Sequence, residues 1–256
     1  MSNKQTSNLP DITILYEDAD CVVVNKPAGL LVHSDGKAVG PFLTDWIAKH
    51  YPQTKDVGEK MNGRDGKPVD RGGIVHRLDR ETSGALLIAK TAVGYEDLKK
   101  QFQDRTITKK YLAFVWGSME EEFGTIDRPI GRSSGDFRKW SAERGTRGET
   151  REAETYWTLI ANSKAPNPEG ILEKVALLEV EPKTGRTHQI RVHLKAVNHP
   201  IIGDMLYAPN RPMVLGFHRT ALHSASIEFE TIEKKRLKIE APLPADFSEA
   251  RRFLNI

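Results

Sequence analysis

The stretch GGIVHRLDRETSGALLIAKT, residues 72–91, joins a polar, charged segment to an apolar run. GALLIAK reads as a strand, with five apolar residues in succession from Ala85 to Ala89. If GIVHRL is also a strand, Arg77 and Asp79 share one face, while His76 and Leu78 take the other. Asp79 lies between Arg77 and Arg80 in the chain. A carboxylate in a basic setting has its pKa lowered and stays ionised near neutrality. Such a group suits nucleophilic attack or the stabilising of a cation. The plainer use is a structural Arg–Asp pair at a strand end.

Outward from this stretch, strand-like runs recur: CVVVNKP, LLVHS, YLAFVWG, ETYWTLIAN, EKVALLEVEP, SASIEFE and LKIEAPL. Turn-forming residues lie between several of them. Three segments carry helical spacing instead. Leu43, Trp46 and Ile47 fall on one face of PFLTDWIAKHY; Tyr95, Leu98 and Phe102 repeat in TAVGYEDLKKQFQ; Ile190, Leu194 and Val197 repeat in THQIRVHLKAVNH, with Thr187 as N-cap. Strands outnumber helices and come in runs, which predicts an α+β fold with a largely antiparallel sheet. No internal repeat or linker divides the chain. Residues 57–71, with the turn dipeptides Asn62-Gly63 and Asp65-Gly66, read as a mobile loop.

The chain has 256 residues, of which 38% are hydrophobic and 29% charged. That length can bury a substantial core. No apolar run reaches the roughly 20 residues that span a bilayer. The polar opening MSNKQTSNLP lacks the apolar core of a signal peptide, and Cys21 is the single cysteine. Both predict a cytoplasmic protein, with Cys21 as a buried strand residue. Net charge is only +3, which permits a nucleic-acid partner without requiring one. Residues 132–151 hold six Arg or Lys against three acids, with Phe137 and Trp140 among them. They read either as a solvated loop or as a flexible basic flap that meets phosphates and stacks on bases.

A second constellation is EPKTGRTHQIRVHLKAVNHPIIGD, residues 181–204. A turn at Thr184-Gly185 leads into a helix expected to present Gln189, Arg191 and His193. His188 and His193 are five apart, about 140° around a helix, so they do not form the four-apart pair of a helical metal site. A polar face that contacts phosphate or backbone carbonyls is the ordinary use. Tyr111 opens YLAFVWG, either as core or as a ring that stacks on a planar substrate. Lys26-Pro27 with Gly29 reads as a strand ending in a turn. No GxGxxG, GxxxxGK[ST] or GxSxG occurs, so nucleotide cofactors and serine esterase chemistry have no local support.

YEDADCVVVNKPAGLLVHS, HRLDRETSGALLIAKT, KKYLAFVWG and TGRTHQIRVHLKAVNHPIIGD, in that order, closely resemble the signature segments of the RluA-type RNA pseudouridine synthases. The resemblance runs from about Tyr16 to residues 222–230. It implies a uridine-to-pseudouridine isomerase acting on structured ribosomal or transfer RNA, with no cofactor and no metal. It also implies a mixed, mostly antiparallel sheet bisected by a basic cleft. By position, Asp79 takes the place of the catalytic aspartate and Arg77 that of the arginine filling the gap left by the extruded uridine. Tyr111 matches the tyrosine packing on the target base, and Arg191 the basic residue pairing with the aspartate. Arg186 and His188 fall in the same motif as RNA contacts or supports, and Leu222 matches an apolar residue of the site wall. Many relatives carry an S4-type RNA-binding module. Here the expectation is a short tail, 1–15, before one catalytic domain, 16–256, acting as a monomer. The rivals are a non-catalytic RNA-binding module using the same cleft, and a hydrolase with Glu81 as second carboxylate.

Overall fold

The computed structural model describes residues 9–34, 40–59, 61–62, 68–69, 71–143 and 146–256. In chain order its elements begin β1 (Thr13–Glu17), β2 (Cys21–Lys26), α1 (Leu43–His50), β3 (Met61–Asn62), β4 (Pro68–Val69), β5 (Ser83–Ala89), α2 (Ala92–Gln103) and β6 (Thr108–Trp116). They continue with β7 (Phe123–Asp127), β8 (Ile130–Ser133), β9 (Trp140–Ser141), β10 (Thr146–Arg151), β11 (Glu154–Pro166) and β12 (Leu172–Pro182). The chain ends with α3 (Gln189–Ala196), β13 (Leu222–Glu230), β14 (Arg236–Glu240) and α4 (Ala245–Leu254). This is an α+β fold with mostly antiparallel strands. Two compact units form, Met1–Ile107 with Ser226–Pro242, and Thr108–Ala225 with Leu243–Ile256. One passage between them falls inside β13, so no linker composition marks the division.

In the first unit the strand order is β1-β2-β5-β13, with β14 on β13. Val22, Val23, Val24, Leu86, Leu87 and Ile88 are all 0% exposed. Neither strand alternates apolar with polar residues, because both of its faces are covered. Cys21, Val23, Ala85, Leu87 and Ala89 form one core with Tyr95 and Leu98 of α2 and with Ile227 and Phe229. Thr91 caps α2, its hydroxyl accepting from Gly94 N at 3.0 Å. Helix α1 buries Leu43, Trp46 and Ile47, the stripe its spacing predicts.

Three local expectations change in this unit. GIVHRL is not a strand: Ile74 makes one bridge to Ile88, and the chain is irregular from there to β5. Gly73 takes φ +77°, and a Cβ there would lie 1.9 Å from the Ala89 carbonyl oxygen, so only glycine permits this close approach to the end of β5. LLVHS supplies only an isolated bridge, Leu31 to Phe42. Within the expected mobile loop, Met61 pairs with Val69 and Asn62 with Pro68. The Asp65-Gly66 turn, Gly63 and the first eight residues of the tail lie outside the described residues.

In the second unit the order is β13-β6-β12-β11-β7. The central strands again bury both faces, with Ala113, Phe114 and Val115 facing Leu178, Leu177 and Ala176, all at 1% exposure or less. Phe114, Phe217 and Phe247 pack with ring centroids 5.2–5.4 Å apart, an aromatic cluster that anchors α4. Helix α4 is absent from the sequence expectation because its stripe is only Phe247 and Ala250. The basic stretch 132–151 is not wholly irregular: among its described residues strands form a small sheet, order β10-β8-β9. Arg132 lies 4.4 Å from the Trp140 ring centroid, while Phe137 is 77% exposed.

Candidate active site

In the first unit the irregular HRLD segment is held by its backbone. Leu78 is buried at 5%, Asp79 is half-buried, and Arg77 and Arg80 are exposed. Apolar Leu78 thereby anchors the segment while its charged neighbours reach solvent. The Asp79 carbonyl accepts from Thr82 N at 3.1 Å, closing a turn. Upstream, His76 Nε2 accepts from Leu87 N at 2.9 Å, which requires the ring's Nε2 unprotonated. Downstream, the Arg80 carbonyl accepts from Gly29 N at 2.8 Å and from Lys26 Nζ at 3.2 Å.

Lys26, read in the sequence only as the end of a strand before a turn, is an anchor of this segment. It is 0% exposed, and its ammonium also donates to the carbonyls of Pro27 and Leu30, each at 2.8 Å. A buried ammonium is costly unless hydrogen-bonded, and here three carbonyls accept from it. The result fixes the turn after β2 against the chain just beyond Asp79. The surroundings are basic as well. Burial first, and the charge of Arg77 next, push the Arg71 guanidinium below its ordinary pKa.

In the second unit the start of α3 is held by side chains. The expected cap, Thr187, is not used: His188 is the N-cap residue, in left-handed backbone at φ 56°, with no side-chain cap bond. Gln189 takes over. Its Oε1 accepts from Thr184 Oγ1 at 2.6 Å and Arg186 N at 2.9 Å, and its Nε2 donates to Glu154 O and Thr155 Oγ1. One turn later His193 is fully buried, bonded through Nδ1 to Thr155 Oγ1 and through Nε2 to the Arg128 carbonyl. The carbonyl can only accept, so His193 carries its proton on Nε2. Gln189 and His193 are therefore pegs of the fold rather than presented groups: four apart, they share the face that docks on β11. Burial holds the His193 pKa below its ordinary value.

These pegs set the direction of Arg191. Its Nε and Nη2 donate to the two oxygens of Asp204 at 2.7 and 2.8 Å, and its guanidinium lies 5.0 Å from the Tyr207 ring centroid. Asp204 also accepts from Leu206 N and Tyr207 N. The Tyr207 hydroxyl accepts from Trp140 N at 3.0 Å and contacts His188 Nδ1 at 2.9 Å. So Arg191 and His188 come together around Tyr207, whereas Arg186 turns its Nε to the Glu152 carbonyl. Tyr111 is 7% exposed in β6, opposite Val180, and Leu222 is 4% exposed at the start of β13. Asp204 and Tyr207 went unread in the sequence; the signal was GDMLY following the GRTHQIR motif, with Gly203 at φ +71°.

Residues 20–196 match the RNA pseudouridylate synthase family. An uncharacterized RNA pseudouridine synthase of Synechocystis is 35% identical over 253 residues, covering 96% of this chain and 70% of its own length. The ribosomal large subunit pseudouridine synthase D of Zymomonas mobilis is 32% identical over 262 residues, covering 100% and 76%. Among solved structures, human RNA pseudouridylate synthase domain containing 4 has a TM-score of 0.68 at 26% identity, covering 94% of this chain and 92% of that one. With HRLD on a turn pinned by Lys26 and GRTHQIR on a helix pinned by Gln189 and His193, the chain belongs to the RNA pseudouridylate synthase family.

Proposed function

We propose that this chain isomerises uridine to pseudouridine in structured RNA, ribosomal or transfer, by extruding the target nucleotide and rearranging its glycosidic bond at Asp79. The N1–C1′ bond breaks, the uracil turns, and a C5–C1′ bond forms. The proton lost from C5 is balanced by one gained at N1, so no cofactor or energy source is consumed. A stacked base is inaccessible, and flipping it costs a few kcal/mol. Arg77 fills the vacancy, and Tyr111 packs on the flipped ring, by stacking worth about 1–3 kcal/mol. Arg191 keeps Asp79 anionic for attack at C1′ or C6, or for removal of the 2′ proton. Arg186 and His188 contact RNA, Leu222 lines the wall of the site, and basic side chains along a central cleft supply salt-dependent affinity.

The observation that carries this reading is the half-buried Asp79 carboxylate on a pinned, arginine-flanked turn in a chain of this family. Relatives named for the large ribosomal subunit, from Zymomonas mobilis and Nitrosomonas europaea, favour ribosomal RNA. No helix among the described residues is long and apolar enough to cross a membrane, and a cytoplasmic monomer completes the proposal. The test is to map pseudouridines in total RNA from cells lacking the gene against their parent. The reading expects at least one uridine to lose its modification and to regain it when the gene is restored. An unchanged map would overturn it.

A further inference from the structure

We propose that Asp204 is a positioning residue for pseudouridine formation, acting through Arg191; the inference rests on the role given to Arg191 above. The Asp204 side chain is 0% exposed and that of Arg191 11%. A buried ion pair is a poor device for stability alone, since desolvation offsets most of its attraction. It is a good device for direction. The fork matches a carboxylate through two parallel bonds, and here the Nε–Nη2 edge is the one engaged. That fixes the plane of the guanidinium and the heading of Nη1. The Tyr207 ring lies beside the guanidinium, its centroid 5.0 Å from Cζ.

The carboxylate does not depend on Arg191 for its own place. Oδ1 is held at 3.0 and 3.1 Å by the amides of Leu206 and Tyr207. The turn that delivers it needs Gly203, where a Cβ would lie 2.0 Å from the Arg219 carbonyl oxygen. Tyr207, placed by the same turn, reaches His188 and the first residue of β9. One buried acid thus orients the guanidinium and supports the ring to which His188 is bonded. A lysine at 191 would keep the charge and lose the fork.

The test compares Asp204→Asn, Arg191→Lys and the double variant on the RNA identified by mapping, reading single-turnover rate and RNA affinity separately. Misplacing a reacting group by about 1 Å can cost on the order of 100-fold. Asp204→Asn is expected to slow the chemical step by about 10- to 100-fold, with RNA affinity kept within about twofold and Arg191→Lys comparable. The double variant should be no slower than the slower single, because both changes remove one interaction. A wild-type rate for Asp204→Asn, or penalties that multiply in the double variant, overturns the proposal. If Asp204→Asn does not fold, Arg191→Lys alone decides: a full rate there shows that the fork is not needed. A wild-type chain that forms no pseudouridine overturns the activity reading and this inference with it, whereas an active wild type beside an unimpaired Asp204→Asn overturns this inference alone.

Discussion

The two charged motifs of this chain are fixed by opposite means. HRLD sits on irregular backbone and is gripped chiefly by its own main chain: the carbonyls of Asp79 and Arg80 accept from the amides of Thr82 and Gly29 and from the Lys26 ammonium, with the His76 ring adding one bond to Leu87 N. GRTHQIR sits on a regular helix, and what holds it is side chain: Gln189 and His193 below, Asp204 and Tyr207 beside Arg191. Backbone pinning tolerates change in the side chains that point outward. A side-chain network fails when any member is removed, since each buried donor or acceptor then lacks its partner. The carboxylate and the guanidinium of the proposed chemistry therefore differ in how far from the reacting atoms a mutation can do harm.

The largest expected effect breaks the acid itself. Asp79→Asn should lower the rate of pseudouridine formation by at least about 1,000-fold with RNA binding and melting temperature unchanged, as read by nucleoside analysis, filter binding and calorimetry. Next comes its cationic partner. Arg191→Ala should cost about 100- to 1,000-fold in turnover while RNA still binds, and Arg77→Ala, which removes an exposed cation, should weaken RNA binding as well. Loss of binding by Arg191→Ala, with chemistry per bound complex intact, would contradict its assigned role.

A third change probes backbone pinning. Lys26→Met removes the ammonium from the carbonyls of Pro27, Leu30 and Arg80, of which Arg80 keeps Gly29 N, and should destabilise the protein by about 3 kcal/mol, or roughly 6–12 °C in Tm. The smallest effect is a pH dependence in the side-chain network. His193 is neutral in the fold, with a pKa held below that of the unfolded chain by burial. The unfolded state therefore binds the extra proton first. The stabilisation is complete above about pH 6.5 and declines as acid carries the pH toward the folded value, by at most about 1.4 kcal/mol per unit. Between pH 7 and 5, His193→Gln should show a flatter decline in Tm than wild type; parallel curves would remove His193 as the source.

Much of this was legible in the chain. Apolar runs marked the central strands, helical spacing marked α1, α2 and α3, and the ordered motifs marked the family. What the sequence concealed has physical causes. Period-two reasoning placed GIVHRL in a strand, but the segment's backbone meets β5 at Gly73 and Ile74 and is irregular beyond them. It took Gln189 and His193 as presented groups because polar residues usually face water, and only their complete hydrogen bonding permits burial. It gave Lys26 no role beyond a strand end and left Asp204 unread because a charged residue is buried only where partners converge on it, and a sequence does not show that convergence, as when the Arg80 carbonyl reaches Lys26 from 54 residues on. The basic stretch 132–151 looked unstructured because its small sheet has few aliphatic residues, and Trp140 is covered by Arg132 rather than by an apolar layer.

The most direct measurement of the central claim is a nucleoside mass balance on RNA from cells lacking the gene, incubated with the purified chain. Isomerisation at Asp79 predicts that each uridine lost is matched by one pseudouridine gained, with no free uracil. Release of uracil would identify a hydrolase, and unchanged uridine in RNA that binds the chain would identify a binding module; either result contradicts the account.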